Sequence, residues 1–420
     1  MVNKPRTQHW TWIVLLGALL LGASIRWVYV DGTPASIRAH DFQGHIDYLG
    51  FVLEHGRMPS HAQGFQGYQP PLYYFLAAPL AATGEEGGAL DVEVLQQISL
   101  GLSLLTLGFG LWMGSLLFKR QRISLALFSL VVASFPGLVY GASQVTNDGL
   151  VQLLLFGALA WLIRWWQTGE LRWWILAAVA TGLGVLTKSN ALLMLPIAVG
   201  LLWMKPGLAR SARLRLLGWG AGIVGALSGW LVAVRLMVDR TASIVPNTSY
   251  LPPELHLSTS PWDLIGFNPV RLLQHPFGNR LESLQQAQGF WEFYFRSAFF
   301  GEFPIDPGLQ RLGWVILFLA LLLLPVLALG LWQALRHRRA DTAHIWVPFF
   351  ALLGTHWVYR ILAPFTPSQD FRYTSLVLIP AAWLVLDGAS RLPRPLKWLS
   401  WGMGLGLTGL CGVFLLELAG

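Results

Sequence analysis

The sequence predicts an all-α polytopic membrane protein, on three observations. Of its 420 residues, 54% are hydrophobic and only 12% charged, with a mean hydropathy of +0.53, so polar surface is too scarce to cover a soluble globule of that size. Apolar runs of spanning length recur along the chain. Basic residues gather in alternate connections between those runs, the pattern that orients spans in a membrane. The 21 tryptophans agree, because indoles concentrate at membrane–water interfaces.

Taken in order, the first run is Trp10–Val30, preceded by Lys4 and Arg6 as a signal peptide would be. At about 20 residues it is long enough to span, and it lacks a small-residue cleavage site, so it reads as a retained helix. Further runs follow at 96–117, 123–141, 149–166, 172–187, 190–204, 215–237, 311–335, 344–361, 372–387 and 398–418, making about eleven spans. The segment 69–83 is the exception. At 1.5 Å per residue it reaches roughly 22 Å, short of the roughly 30 Å hydrocarbon core. It also carries Pro70, Pro71 and Pro79, so it reads as a short interfacial helix that does not cross.

With the N-terminus cytoplasmic, the short inside loops hold 17 of the 29 basic residues and, among the acids, only Glu170, Asp341 and Asp387. Two long segments then lie outside, 31–95 and 238–310. The expected organisation is a module over 1–237 with a catalytic first external loop, a large external loop over 238–310, and C-terminal spans over 311–420. The net charge of +8 reflects this orientation, and no basic patch with interleaved aromatics points to nucleic acid. The single cysteine, Cys411, leaves no intrachain disulfide and no thiolate cluster. Asn247-Thr248-Ser249 matches a glycosylation sequon, a pattern common by chance.

The most polar stretch near the start is 40–76. Phe42, Ile46, Leu49 and Leu53 recur at helical spacing as one apolar face, with Gly56 and Pro59 as the stop. Asp41, His45 and Tyr48 fall on an adjacent stripe. The expected helix lies in the interface, apolar side down, presenting a carboxylate, an imidazole and a phenol together.

Asp41 is the sharpest catalytic candidate, as a general base for an acceptor hydroxyl or as a ligand of a divalent cation; its structural alternative is a helix N-cap. Asp148, in Gln144-Val145-Thr146-Asn147-Asp148-Gly149, opens a span from outside, and has the same alternative. Lys188, in Leu186-Thr187-Lys188-Ser189-Asn190, sits at a tight external turn, and Arg372, in Asp370-Phe371-Arg372-Tyr373, at the start of the tenth run. Both suit a phosphate headgroup, although snorkelling also accounts for the lysine. The aromatic stretch 290–303 reads as an interfacial belt or as a wall for a lipid-linked sugar, with Arg296 and Glu302 as polar contacts. His40, His45, His55 and His61 lack a zinc-ligand spacing.

Together these residues resemble the GT-C superfamily of integral-membrane glycosyltransferases, in particular its protein O-mannosyltransferase and aminoarabinose-transferase branch. The resemblance rests on Asp41 with His45, Tyr48 and the Leu53–Pro59 tail, on Gln69-Pro70-Pro71-Leu72-Tyr73-Tyr74, on Thr146-Asn147-Asp148, and on Leu186-Thr187-Lys188. Phe300-Gly301-Glu302-Phe303 and Phe371-Arg372-Tyr373 are weaker echoes. It implies the GT-C fold and transfer of a sugar from a polyprenyl-phosphate carrier to an acceptor at the outer face of the membrane, usually with inversion; the leading expectation is an enzyme of a bacterial inner membrane with a lipid, glycan or protein acceptor. Asp41 would be the base or metal ligand and Asp148 the second external acid. Lys188 and Arg372 would hold the lipid phosphate, with His45, Tyr48, Tyr73, Arg296, Glu302 and Tyr373 as substrate contacts. If a divalent cation is used, Asp41 and Asp148 would bind it; yet Phe42 stands where the family's first loop often has a second acid, against a paired-carboxylate site. The rival readings are a polymerase or ligase with a diphosphate-linked glycan donor, and a transporter or flippase of lipid-linked sugars.

Overall fold

The computed structural model describes residues 5–83, 89–119, 121–238, 253–257, 260–277, 289–337 and 339–420. The sequon at Asn247-Thr248-Ser249 and the basic residues Lys4, Arg120 and Arg338 lie outside them. Among the described residues the fold is helical, and its extended pairing is confined to two isolated bridges, Ala82 to Leu90 and His256 to Phe365.

Helix α1 (Pro5–Gly32) leads into the first long connection, which holds α2 (Phe42–His55) and α3 (Leu72–Ala81). Helix α2 stops at Gly56, whose positive φ of 62° lets its N–H return to the Val52 carbonyl. The helix forms where its periodicity puts it, but its buried face is the one that carries His45, Tyr48, Leu49 and Val52. The reason is α3, which covers that side and stacks Tyr74 on Tyr48 with ring centroids 3.6 Å apart. The polar stripe therefore turns inward, and Phe42, Ile46 and Leu53 border the cluster half-buried. Helix α3 keeps Phe75, Leu76 and Leu80 exposed, an outward apolar face suited to an interface.

Next come α4 (Val92–Leu117), capped by the Asp91 carboxylate, and α5 (Arg122–Ser134), which bends by 58° at Pro136 into α6 (Pro136–Val139). Helices α7 (Asp148–Thr168), α8 (Leu171–Thr187), α9 (Met194–Met204) and α10 (Arg210–Val238) follow. The second long connection contributes α11 (Pro261–Ile265), α12 (Pro269–Gln274) and α13 (Phe290–Phe300). The chain closes with α14 (Pro307–His337), α15 (Ala343–Leu362), α16 (Leu378–Arg391) and α17 (Arg394–Ala419).

Among the described residues, eight helical segments are long and apolar enough to cross a membrane, and the bent α5–α6 pair, taken as one span, is a ninth. Two of the expected eleven, the runs at 172–187 and 190–204, form shorter helices, Leu171–Thr187 and Ser189–Met204. At 17 residues α8 spans about 25 Å. Lys188 then leaves the helix with φ −160° and ψ 137°, before a 3-10 turn over Ser189–Leu193.

Close helix packing depends on small residues. A Cβ at Gly330 would lie 1.9 Å from the Leu384 carbonyl oxygen, and one at Gly388 2.3 Å from that of Val326, so glycine lets α14 and α16 meet backbone to backbone. Buried Arg26 on α1 donates to Ser103 Oγ (2.9 Å) and to the Ala133 carbonyl (2.8 Å), tying α1 to α4 and α5. At one end of the bundle the long connections are tied to the spans. Gln96 donates to the Thr33 carbonyl (2.7 Å), Gln144 to that of Arg38 (2.6 Å), Tyr140 to that of Phe299 (2.6 Å), and the Leu257 N–H to that of Pro364 (2.7 Å). The candidate site lies at this end.

Candidate active site

A cavity of about 410 Å³ lies between the first connection, the start of α7, the α8–α9 turn and α15. Leu192, Leu193, Val358 and Leu362 give it apolar walls, and its lining also includes Asp41, His45, Asp148, Lys188, Arg372 and Tyr373. Of the ten residues that the sequence nominates, these six are brought together.

Asp148 is the hub. It is the first residue of α7, directly after the N-cap Asn147. Its Oδ1 accepts from Lys188 Nζ, and its Oδ2 lies 3.6 Å from Arg372 Nη1. One carboxylate between two cations leaves one net positive charge. Burial pushes the Lys188 ammonium below its ordinary value, and Asp148 is the main counter-charge acting against that shift. The guanidinium of Arg372 also donates to the Tyr373 hydroxyl (3.2 Å), and both cations lie over the Tyr373 ring, at 5.0 Å for Arg372 and 5.4 Å for Lys188.

Asp41 occupies the N-cap position of α2 but makes no side-chain cap bond. Its backbone is left-handed, with φ 55° and ψ 33°, a conformation unfavourable for a residue with a Cβ. The carboxylate is thus committed to no local structural bond and lines the cavity. His45, on the next turn, is buried and bonds through Nδ1 to the Tyr74 hydroxyl (2.8 Å). Burial, and then the charge of Lys188, push its imidazole down to about 4. Tyr48 and Tyr73 are buried between α2, α3 and α4; Tyr48 donates to the Gln69 carbonyl (3.2 Å). Neither lines the cavity.

Arg296 and Glu302 lie elsewhere. Arg296 on α13 is buried, sits 4.7 Å from the Phe293 ring centroid and donates to the His275 carbonyl at 3.5 Å. Burial pushes its guanidinium down to about 10, opposed by the charges of Glu302 and Asp370. Glu302 follows α13 and pairs with His40, Nδ1 to Oε2 3.4 Å. A second, small cavity of about 50 Å³ is lined by His40 and Asp370 and shares Asp148 and Arg372 with the first. The two cavities thus meet at the Asp148–Arg372 pair.

Sequence reasoning passed over the residues that hold this arrangement. Asn147, fully buried, donates to Gln69 Oε1 (3.1 Å) and to the Thr187 carbonyl (2.9 Å), clamping the Lys188 turn to the first connection. Arg235 on α10 donates to the carbonyls of Pro59 (3.1 Å), Gly67 (2.9 Å) and Gln69 (3.2 Å). His356 on α15 donates through Nε2 to the Ser368 carbonyl (2.8 Å), with Thr374 Oγ1 2.8 Å from Nδ1, fixing the segment that carries Arg372. Only Asn147 had a sequence signal, its place beside Asp148.

Chemically, the polar end combines a net cation pair, suited to an anionic headgroup, with a carboxylate free of helix capping; the walls suit an apolar tail. It does not fit the divalent cation expected between Asp41 and Asp148. A metal at Asp148 would face Lys188 and Arg372, both already directed at that carboxylate.

Residues 69–232 match the model of the dolichyl-phosphate-mannose-protein mannosyltransferase family, which covers less than half of the chain. Among curated proteins, none matches the sequence. Among solved structures, the chain is similar to the apo form of the oligosaccharyltransferase of Archaeoglobus fulgidus (TM-score 0.58, 12% identity, 98% of this chain and 56% of that one). It is equally similar to the archaeal oligosaccharyltransferase AglB from Archaeoglobus fulgidus in complex with an inhibitory peptide and a dolichol-phosphate (TM-score 0.58, 11% identity, 98% and 56%). ArnT from Cupriavidus metallidurans, bound to undecaprenyl phosphate, superposes less well (TM-score 0.43, 16% identity, 91% and 81%). The chain spans about half the length of the archaeal enzyme, 56%. The chain thus shares its fold with the archaeal oligosaccharyltransferase, as the resemblance to the GT-C superfamily implies.

Proposed function

We propose that this chain is a glycosyltransferase that moves a sugar from a polyprenyl-phosphate carrier to an acceptor hydroxyl at the extracytoplasmic face of a bacterial inner membrane, with inversion. One observation carries the reading: Lys188 and Arg372, bridged by Asp148, line an apolar-walled cavity that Asp41 also lines. The complex of the archaeal fold relative with a dolichol-phosphate supports a lipid-phosphate donor.

In this reading the isoprenoid tail lies along Leu192, Val358 and Leu362, and the phosphate meets Lys188 and Arg372. Asp41 takes the proton of the acceptor hydroxyl as its oxygen attacks the anomeric carbon. The bond from that carbon to the phosphate oxygen breaks, its electron pair goes to the phosphate, and the two cations stabilise the charge that develops. Attack from the opposite face inverts the centre, and no enzyme nucleophile is required. Asp148 aligns the cations and takes no proton. The acceptor is a lipid, a glycan or a protein.

The test uses the purified chain in nanodiscs with a panel of radiolabelled polyprenyl-phosphate sugars and a crude envelope extract, comparing wild type with Asp41→Asn. Transfer by wild type alone supports the reading and names the sugar. Transfer only from diphosphate-linked glycans would replace it with a polymerase or ligase. Translocation of the lipid without transfer would replace it with a flippase.

A further inference from the structure

We propose that His40, Glu302 and Asp370 form a binding site for a divalent transition-metal ion, of which Zn²⁺ is the best match, beside the Asp148–Arg372 pair and separate from Asp41. The three side chains come from the first connection, the turn after α13 and the segment before α16, and all are buried, with exposures of 5%, 2% and 3%. One donor atom of each lies within 4.8 Å of the other two. The His40 Nδ1 to Glu302 Oε2 separation is 3.4 Å. That is the edge of a tetrahedron with bonds of about 2.0–2.1 Å, the Zn–N and Zn–O length, which requires about 3.3–3.4 Å between ligands.

One detail separates this site from an ordinary cluster of buried acids. Asp370 Oδ1 accepts from the Arg372 backbone N–H at 2.7 Å, which fixes the carboxylate, while its buried Oδ2 has no hydrogen-bond partner. A ligand oriented through its other oxygen is the usual arrangement at protein metal sites.

The donor set itself selects the ion. An imidazole with two carboxylates suits Zn²⁺ or Mn²⁺ better than Mg²⁺, which prefers oxygen ligands and keeps its waters. Three protein ligands leave a fourth position open, and the adjoining cavity of about 50 Å³ has room for a water there. Glycosyl transfer is not a premise of this proposal.

The decisive measurement is metal stoichiometry. The protein, purified through a tag without histidines and reconstituted in nanodiscs, is stripped with a chelator, reloaded with ZnCl₂ or MnCl₂, desalted and analysed by inductively coupled plasma mass spectrometry. About one Zn²⁺ per chain is expected, with occupancy falling at least tenfold in His40→Gln, Glu302→Gln and Asp370→Asn, and unchanged in the control His61→Gln. Zn²⁺ should also raise the thermal midpoint of wild type, a readout that needs no variant to fold. Wild type that retains neither metal after reloading would overturn the site and leave Glu302 and Asp370 as a proton-sharing pair. Equal retention by all the ligand variants would overturn it too.

Discussion

The Lys188 ammonium donates to the Asp148 carboxylate from the far end of the next helix, and the Arg372 guanidinium reaches the other oxygen of the same group. Removing the carboxylate leaves two buried cations facing each other without their counter-charge. Asp148→Asn is therefore expected to destabilise the protein by about 3–5 kcal/mol, read as a fall in thermal midpoint. Combining it with Lys188→Met should recover part of the loss, giving a non-additive double-mutant cycle. A midpoint equal to wild type in the single variant would mean that Asp148 does not hold the cations.

If the same cations hold the donor phosphate, Lys188→Ala and Arg372→Ala should each raise the donor concentration for half-maximal transfer by roughly 10–100-fold, the effect of about 1.5–3 kcal/mol for a bond to a charged group. Arg372→Lys should recover only part, since it keeps the charge but loses the fork that bonds Tyr373. Unchanged donor dependence in both alanine variants would remove the phosphate assignment.

Asp41 separates stability from activity. Its left-handed backbone suits glycine better than aspartate, and its carboxylate makes no capping bond that stability would miss. Asp41→Gly should leave the thermal midpoint unchanged or raise it, by up to about 1 kcal/mol in stability. Transfer should fall by about 10²–10⁴ in both Asp41→Gly and Asp41→Asn. A large loss of stability in either variant would show that the residue is structural.

How much of this was legible beforehand depended on how local each signal was. Helix α2 and its stop at Gly56 followed from spacing within one segment, and the first-connection helix α3 from its length and prolines. The inward turn of His45 and Tyr48 did not follow, because nothing in that segment shows that Tyr74 will cover it. Lys188 and Asp148 could each be nominated at a helix end, yet their pairing joins residues 40 apart. Hidden most completely were His40, Glu302 and Asp370, since metal-ligand spacing rules read short stretches and these side chains meet only once three connections fold together. Nor did the sequence show where an apolar run breaks: the run at 172–187 ends its helix at Thr187, before Lys188.

His45 gives the first connection a pH dependence of defined sign. Its imidazole titrates at about 4 in the folded protein against an ordinary 6.5, so between these values the unfolded chain binds the additional proton. The contribution to stability is fully present above about 6.5 and is lost as pH falls towards 4, by on the order of 3 kcal/mol across the window. The difference in thermal midpoint between wild type and His45→Gln should shrink across that range. A constant difference from pH 7 to pH 4.5 would show that His45 is not held neutral.

The last prediction concerns which side of the membrane the site faces. The end of the bundle that carries the cavity also carries α2, whose Glu54 side chain is 71% exposed; the basic residues Lys119 and Arg122 mark the opposite end, beside exposed Gln121. Basic residues favour the cytoplasmic side, so the proposed function expects the cavity outside. In a Cys411→Ala background, which removes a buried thiol, Glu54→Cys should be labelled by an impermeant maleimide on intact cells, and Gln121→Cys only after permeabilisation. The opposite pattern would turn the chain over. Asp41 and Arg372 would then face the cytoplasm, and the proposal would need a donor whose phosphate and sugar are presented on that side.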